Sequence, residues 1–149
     1  DDLKPALQSY RKAWREAGHA GDGDVYLRIP VYAGTTERGA VEEPSESTMF
    51  FFHRQAELAH SAVGREGLGP VERFQFRADR LSTISYERML KTKVAFGTAP
   101  GLIDRLTQLQ EELHLTGIVA ELNPGGLMPL EQVKRSLDIL TREVMPAFK

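Results

Sequence analysis

The chain has 149 residues, 41% of them hydrophobic and 27% charged, with 19 basic residues against 21 acidic ones and a net charge of −2. That length suits a single core, and the charge balance offers no basic footprint for nucleic acid. No apolar run approaches the roughly 20 residues needed to cross a bilayer, and zero cysteines exclude disulfides, thiolate zinc sites and a cysteine nucleophile.

The absence of cysteine fits a reducing, cytoplasmic setting. Asp1-Asp2-Leu3 shows neither an initiator Met nor a signal-peptide pattern, so a preceding segment is expected. Leu3, Leu7, Tyr10 and Trp14 recur at helical spacing, with Gly18 as a C-terminal stop. A Gly/Asp turn at 21–24 leads into a strand over 25–33, where Val25, Leu27, Ile29, Val31 and Ala33 share one face at period two. A mixed segment follows from about Ala40 to Lys93. Within it Pro44 and Ser45 start a helix that carries Met49 to Phe52 and stops at Gly64. The stretch from Arg65 to Arg80, rich in charge with Gly and Pro, reads as a solvated loop or lid, and a short helix runs through Tyr86, Met89 and Leu90.

The last third is more regular. Val94-Ala95-Phe96 leads to Gly97 and Thr98, a good N-cap. Leu102, Ile103, Leu106, Leu109 and Leu113 then form an apolar stripe one helix face wide, broken at Gly117. A second strand spans 118–123 and closes at Pro124-Gly125-Gly126. Pro129 opens a final helix with Leu130, Val133, Leu137, Leu140 and Val144 on its buried side, and Pro146 ends it. Helix, strand, long insertion, helix, strand, helix implies an α/β fold with a parallel sheet covered by helices. Two parallel strands do not make a stable sheet alone, so neighbours are expected from a missing N-terminal stretch or another chain.

Five pieces in order resemble the C-terminal part of bacterial luciferase-like flavin-dependent monooxygenases. Lys93 to Pro100 with its leucine-striped helix is similar to that family's seventh helix and its approach. Gly117 to Leu127 resembles the last strand and turn, and Ser136-Leu137 with Glu143 to Pro146 the closing helix. Upstream, Tyr10 to Trp14 and Val31 to Thr36 also match, with about 40–93 as the insertion. The resemblance covers nearly all of 1–149. It implies a C-terminal segment of a (β/α)₈ TIM barrel, whose complete form takes about 250 residues or more. It also implies an oxidoreductase chemistry in which reduced flavin, FMN or a deazaflavin, and oxygen act on a small organic substrate. The flavin phosphate and most ring contacts would lie in strands outside this chain, so the chain by itself is expected to be inactive and to bind no cofactor.

In the first strand Tyr26, Arg28, Pro30 and Tyr32 oppose the aliphatic face, and in the second Glu121 and Asn123 do so. Covering helices need the apolar face, so the polar set is expected inside the barrel, near the active-site mouth at the carboxyl ends of the strands. Arg28, Tyr32, Glu121, Asn123, Gly125 and Gly126 are therefore the candidate cofactor contacts. No residue is singled out as catalytic. The plainer reading has Arg28 and Glu121 neutralising each other inside the barrel, and Gly125-Gly126 serving a tight turn rather than a phosphate. His53 and His60 share a helix face but lack a third ligand, so no metal site is expected. Met49 to Phe52 are expected to pack rather than to touch substrate. The competing function class is a non-catalytic half-barrel that serves as an oligomerising or interaction module. Either way, an exposed strand edge predicts a partner: the missing N-terminal half or a second copy in a homo-oligomer.

Overall fold

Residues 3–62 and 71–148 are described by a computed structural model. Strand β1 (Tyr26–Ala33) is extended because its β-branched and aromatic residues alternate between two faces. It pairs in parallel with both other strands of the described residues, β2 (Ala95–Gly97) and β3 (Gly117–Glu121), giving the order β2-β1-β3. The partners sit at different heights. Val31 to Ala33 oppose Ala95 to Gly97, whereas Tyr26 to Pro30 oppose Gly117 to Glu121. The Thr116 N–H donates to the Val25 carbonyl at 2.8 Å and the Gly34 N–H to the Gly97 carbonyl at 3.0 Å. Odd-numbered backbone groups of β1 thus face β3 and even-numbered ones face β2.

The sequence expectation that 25–33 and 118–123 are parallel neighbours, each followed by a helix and with the insertion outside the sheet, holds, except that β3 ends at Glu121 and leaves Leu122 and Asn123 in the turn that follows. Reading 95–97 only as a lead-in to Thr98 missed the third strand. Three residues are too short for a periodic signal, and their pairing depends on where β1 lies.

The helices divide between the two sides of the sheet. Helix α6 (Ala99–Leu113) carries Leu102, Leu106, Leu109 and Leu113 onto Ile29, Val31 and Ala33, the aliphatic face of β1. Each such leucine contributes roughly 1.5–3 kcal/mol by leaving water. Leu140 and Val144, in a π-helical turn (Leu140–Val144) after α7 (Leu130–Ile139), join the same core. So does Leu7 of α1 (Leu3–Glu16), packed at its margin, although α1 buries none of its residues.

The insertion lies on the other side, towards the carboxyl ends of the strands. It comprises α2 (Glu37–Glu42), α3 (Ser45–Ala62), α4 (Val71–Ser82) and α5 (Tyr86–Thr92). Its own core gathers Phe52, Ala56, Leu81, Ile84, Met89 and Val94, with Met49, Phe51, Leu90 and Phe96 against it. Met49 to Phe52 therefore pack as expected, apart from exposed Phe50.

Three local expectations are corrected. The loop read over Arg65 to Arg80 is helical from Val71, because α4 gains its stability by packing along α3; its first part lies outside the described residues. The stripe of the final helix is buried only at Leu140 and Val144, while Leu130 and Leu137 are exposed. The π-helical turn re-aims the stripe between the two halves. The helical path also passes Pro146, continuing as a 3₁₀ turn (Met145–Phe148). Among the described residues no helix is long and apolar enough to cross a membrane.

Candidate functional site at the carboxyl ends of the strands

Parallel α/β sheets present ligand sites beyond the carboxyl ends of their strands. Here that end collects the segment after β1, Thr98 at the start of α6, and the turn after β3. Tyr32, the last even-numbered residue of β1, is fully buried, and its ring meets Phe96 edge-on with centroids 6.3 Å apart. Its hydroxyl donates to the Glu43 carboxylate. Arg135 of α7 donates to the same carboxylate at 2.5 Å and lies 3.4 Å from the tyrosine oxygen. Burial, reinforced by the Glu43 carboxylate, pushes the Tyr32 phenol up to about 12. The phenol is therefore a neutral donor near neutral pH and not a base. The neighbouring Ser136 hydroxyl accepts from the Ala33 N–H at 2.8 Å. It takes the place of a strand partner where β3 has ended.

Asn123 and the two glycines form a self-contained turn. The Asn123 carboxamide oxygen accepts from the Met128 N–H at 3.2 Å, and its backbone carbonyl accepts from the Gly126 N–H at 3.0 Å. Ser47 of α3 closes the turn. Its hydroxyl donates to the Pro124 carbonyl at 2.5 Å and accepts from the Leu127 N–H at 3.0 Å. Gly125 has φ +90, and a Cβ there would run into the Ser47 carbonyl. The glycine is needed for close approach and for the left-handed backbone. The N–H groups of Gly126, Leu127 and Met128 are thus all engaged within the protein, which is the tight-turn alternative and no phosphate cradle.

Arg28 and Glu121 meet, as expected, in an ion pair on the even-numbered face of β1. The pair is not enclosed. The Arg28 side chain is 69% exposed and that of Glu121 19%. Tyr26 and Val119 on the same face are also exposed, so the expected interior is open to water in the described residues. Of the six candidate residues, the fold brings Arg28 to Glu121 and Asn123 to Gly125 and Gly126; Tyr32 turns instead to Glu43 and Arg135.

Sequence reasoning missed Glu43, Ser47, Arg135 and Ser136. Arg135 and Ser136 are adjacent polar residues inside an otherwise leucine-striped helix, and this was the available signal. Thr98 also departs from expectation. It occupies the N-cap position of α6 without a capping bond, and its hydroxyl donates to Glu37 at 2.5 Å. The side-chain atoms Thr48 Oγ1, Gln132 Oε1 and Arg135 Nε are buried without a hydrogen-bond partner in the described residues. His53 and His60 are exposed, and the described residues contain no group of metal-ligating side chains. A groove of about 520 Å³ lies at the opposite end, between Tyr10 and Trp14 of α1 and the turn at Gly21 to Asp24. There the Trp14 indole already donates to the Ala20 carbonyl at 3.0 Å.

What fold and geometry define is a parallel α/β unit with one covered face and one partly open polar face. No family model matches the sequence, and no curated protein matches it significantly.

Proposed function

We propose that the chain is the C-terminal segment of a (β/α)₈ barrel in a luciferase-like flavin-dependent oxidoreductase of the cytoplasm. The observation that carries this reading is the sidedness of the helices. Helix α6 and the turn after α7 pack against the aliphatic face of β1, with α1 beside α6 at the margin of that core, while Tyr26, Arg28, Val119 and Glu121 face away from them. In a (β/α)₈ barrel the outer face alone carries the helices along its length. Strands β1 and β3 are then consecutive barrel strands, and β2, three residues paired only with the carboxyl end of β1, is part of the insertion. The insertion covers only the carboxyl end, where an active-site roof belongs.

The fit to flavin is partial. The glycine turn has no free run of N–H groups for a phosphate. The exposed Arg28 guanidinium retains donors beyond its bond to Glu121 and suits the polar edge of a flavin ring. When bound, the flavin would supply oxygen activation. This chain would supply one wall, with Arg28 oriented by Glu121, and Tyr32, Glu43 and Arg135 locking the roof to the sheet.

The test is the protein isolated from its producing cells, examined by absorbance and intact mass. Flavin absorbance, together with a further barrel-forming polypeptide or a longer mass, is expected. Arg28→Met in that material should lower flavin affinity at least about tenfold, since a hydrogen bond to a charged group contributes about 1.5–3 kcal/mol. A colourless homo-oligomer of this chain alone would overturn the reading in favour of an interaction module.

A further inference from the structure

Helix α7 and the two turns that continue it carry an apolar stripe that no described element covers. Leu130 is 64%, Leu137 44%, Met145 54% and Phe148 40% exposed, whereas Ser136, Leu140 and Val144 of the same helical path are buried. Leu130 and Leu137 are seven residues apart, close to two α-helical turns. Leu137 and Met145 are eight apart, and the π-helical turn between them takes up the additional residue. The stripe therefore continues in line from α7 to the end of the described residues.

Four charged side chains flank it. Lys134 pairs with Glu131 at 3.0 Å and Arg142 with Asp138 at 3.3 Å, bonds that hold all four on one side of the helix. Every one of these side chains is at least 60% exposed. Their order along the chain is acid, base, acid, base. A membrane surface selects a basic flank, and a strongly charged partner selects a single sign. The balanced order suits neither of them. It suits the same helix running the other way.

In an isologous pair, a two-fold axis across the helices sets the same flank of both copies side by side with their sequences reversed. About a centre near Leu137, that residue meets its own copy and Leu130 meets Met145 of the second copy. Exposed Leu127, just before α7, lies where Phe148 of the second copy reaches. On the flank, Glu131 then faces Arg142 and Lys134 faces Asp138, each contact made twice by symmetry. The paired positions mirror to within about two residues, or about 3 Å along the axis, which long side chains span. A parallel pair would instead set this flank against the buried side of the helix.

We infer that α7 and its continuation join two copies of this chain as an antiparallel helix pair, with Leu130, Leu137 and Met145 at its centre and Glu131 opposite Arg142 of the second copy. This surface is separate from the β1 edge and from the open polar face, so the inference does not rest on the flavin reading.

The test uses the protein as isolated from its producing cells, with copies of this chain per particle counted by native mass spectrometry and their association followed by sedimentation equilibrium. At least two copies are expected. Glu131→Arg and Arg142→Glu should each weaken the association at least about tenfold, because each sets like charges opposite one another at two symmetric places. The double variant should return to within about threefold of the wild type. Recovery is the distinguishing result. Within one helix the double exchange breaks both the Glu131–Lys134 and the Asp138–Arg142 bond and restores nothing. Lys134→Asp with Asp138→Lys gives an independent cycle with the same expectation, so misfolding of one variant does not leave the matter open. One copy per particle overturns the proposal, and so does association that ignores the single substitutions, because the contact then lies elsewhere. Weakening without recovery in both cycles overturns it as well. Flavin absorbance of the same samples reports on the proposed function separately.

Discussion

Arg28 and Glu121 show how a correct pairing can carry the wrong energy. Each was placed on the polar face of its strand by alternation alone, and register brings them together, since Arg28 lies opposite Val119 and Pro30 opposite Glu121. The expected interior pair would cost roughly 3–5 kcal/mol to break. With Arg28 69% exposed, water screens the attraction and the pair contributes at most about 1 kcal/mol. Glu121→Ala should therefore lower stability by no more than about 1 kcal/mol beyond the exposed Glu57→Ala, measured by urea unfolding of this chain. A loss near the buried-pair figure would mean that the face is closed in solution. Tyr32 gives a pH signature. Its folded value of about 12 lies above the ordinary 10.0, so its contribution is complete below pH 10 and is lost as pH rises through 12. Tyr86, raised to about 12 by burial, acts in the same direction. Unfolding midpoints should fall over that window, and Tyr32→Phe should flatten the fall; an unchanged slope would contradict the buried phenol.

Among the elements, α7 is held by a hydrogen bond as much as by apolar contact. Leu130 and Leu137 face water, and the buried Ser136 hydroxyl fastens the helix to the end of β1. Ser136→Ala leaves the Ala33 N–H buried and unpaired, which costs about 1–3 kcal/mol. Ser136→Cys keeps the volume but accepts only weakly and should recover little. Thermal unfolding of the two variants checks this, and wild-type stability in Ser136→Ala would show that water replaces the hydroxyl. The insertion obeys a different logic. Its helices share their own core around Phe52, Leu81 and Met89, and hydrogen bonds join it to the sheet end through Glu43 and Ser47.

Taken whole, the described residues leave Tyr26 60%, Val119 52% and Leu130 64% exposed, together with the lower edge of β1. Exposed apolar surface beside an unpaired strand edge promotes association. The chain alone should therefore associate as its concentration rises, seen by light scattering, and Val119→Lys should oppose this by charging the open face. A monodisperse monomer at high concentration would show that the edge is protected in some other way.

Sequence by itself determined the period-two faces of β1, the leucine stripe of α6, the helix carrying Met49 to Phe52, and the parallel α/β order. Each is a local pattern whose repeat matches the geometry of one element. It also chose Arg28 and Glu121 as partners, because alternation and parallel register leave little freedom. Only the tertiary structure decided that Ala95 to Gly97 form a strand, that α4 is helical within a charge-rich stretch, and that Tyr32 answers to Glu43 and Arg135. Those outcomes depend on contacts between residues far apart in the chain. Only the assembled sheet, likewise, shows that the Gly125-Gly126 turn spends its N–H groups on Asn123 and Ser47, since Ser47 arrives from a helix 76 residues away from Asn123. Burial of the Arg28–Glu121 pair was beyond local pattern for the same reason: exposure is set by what covers a face, and no residue within a strand encodes its cover.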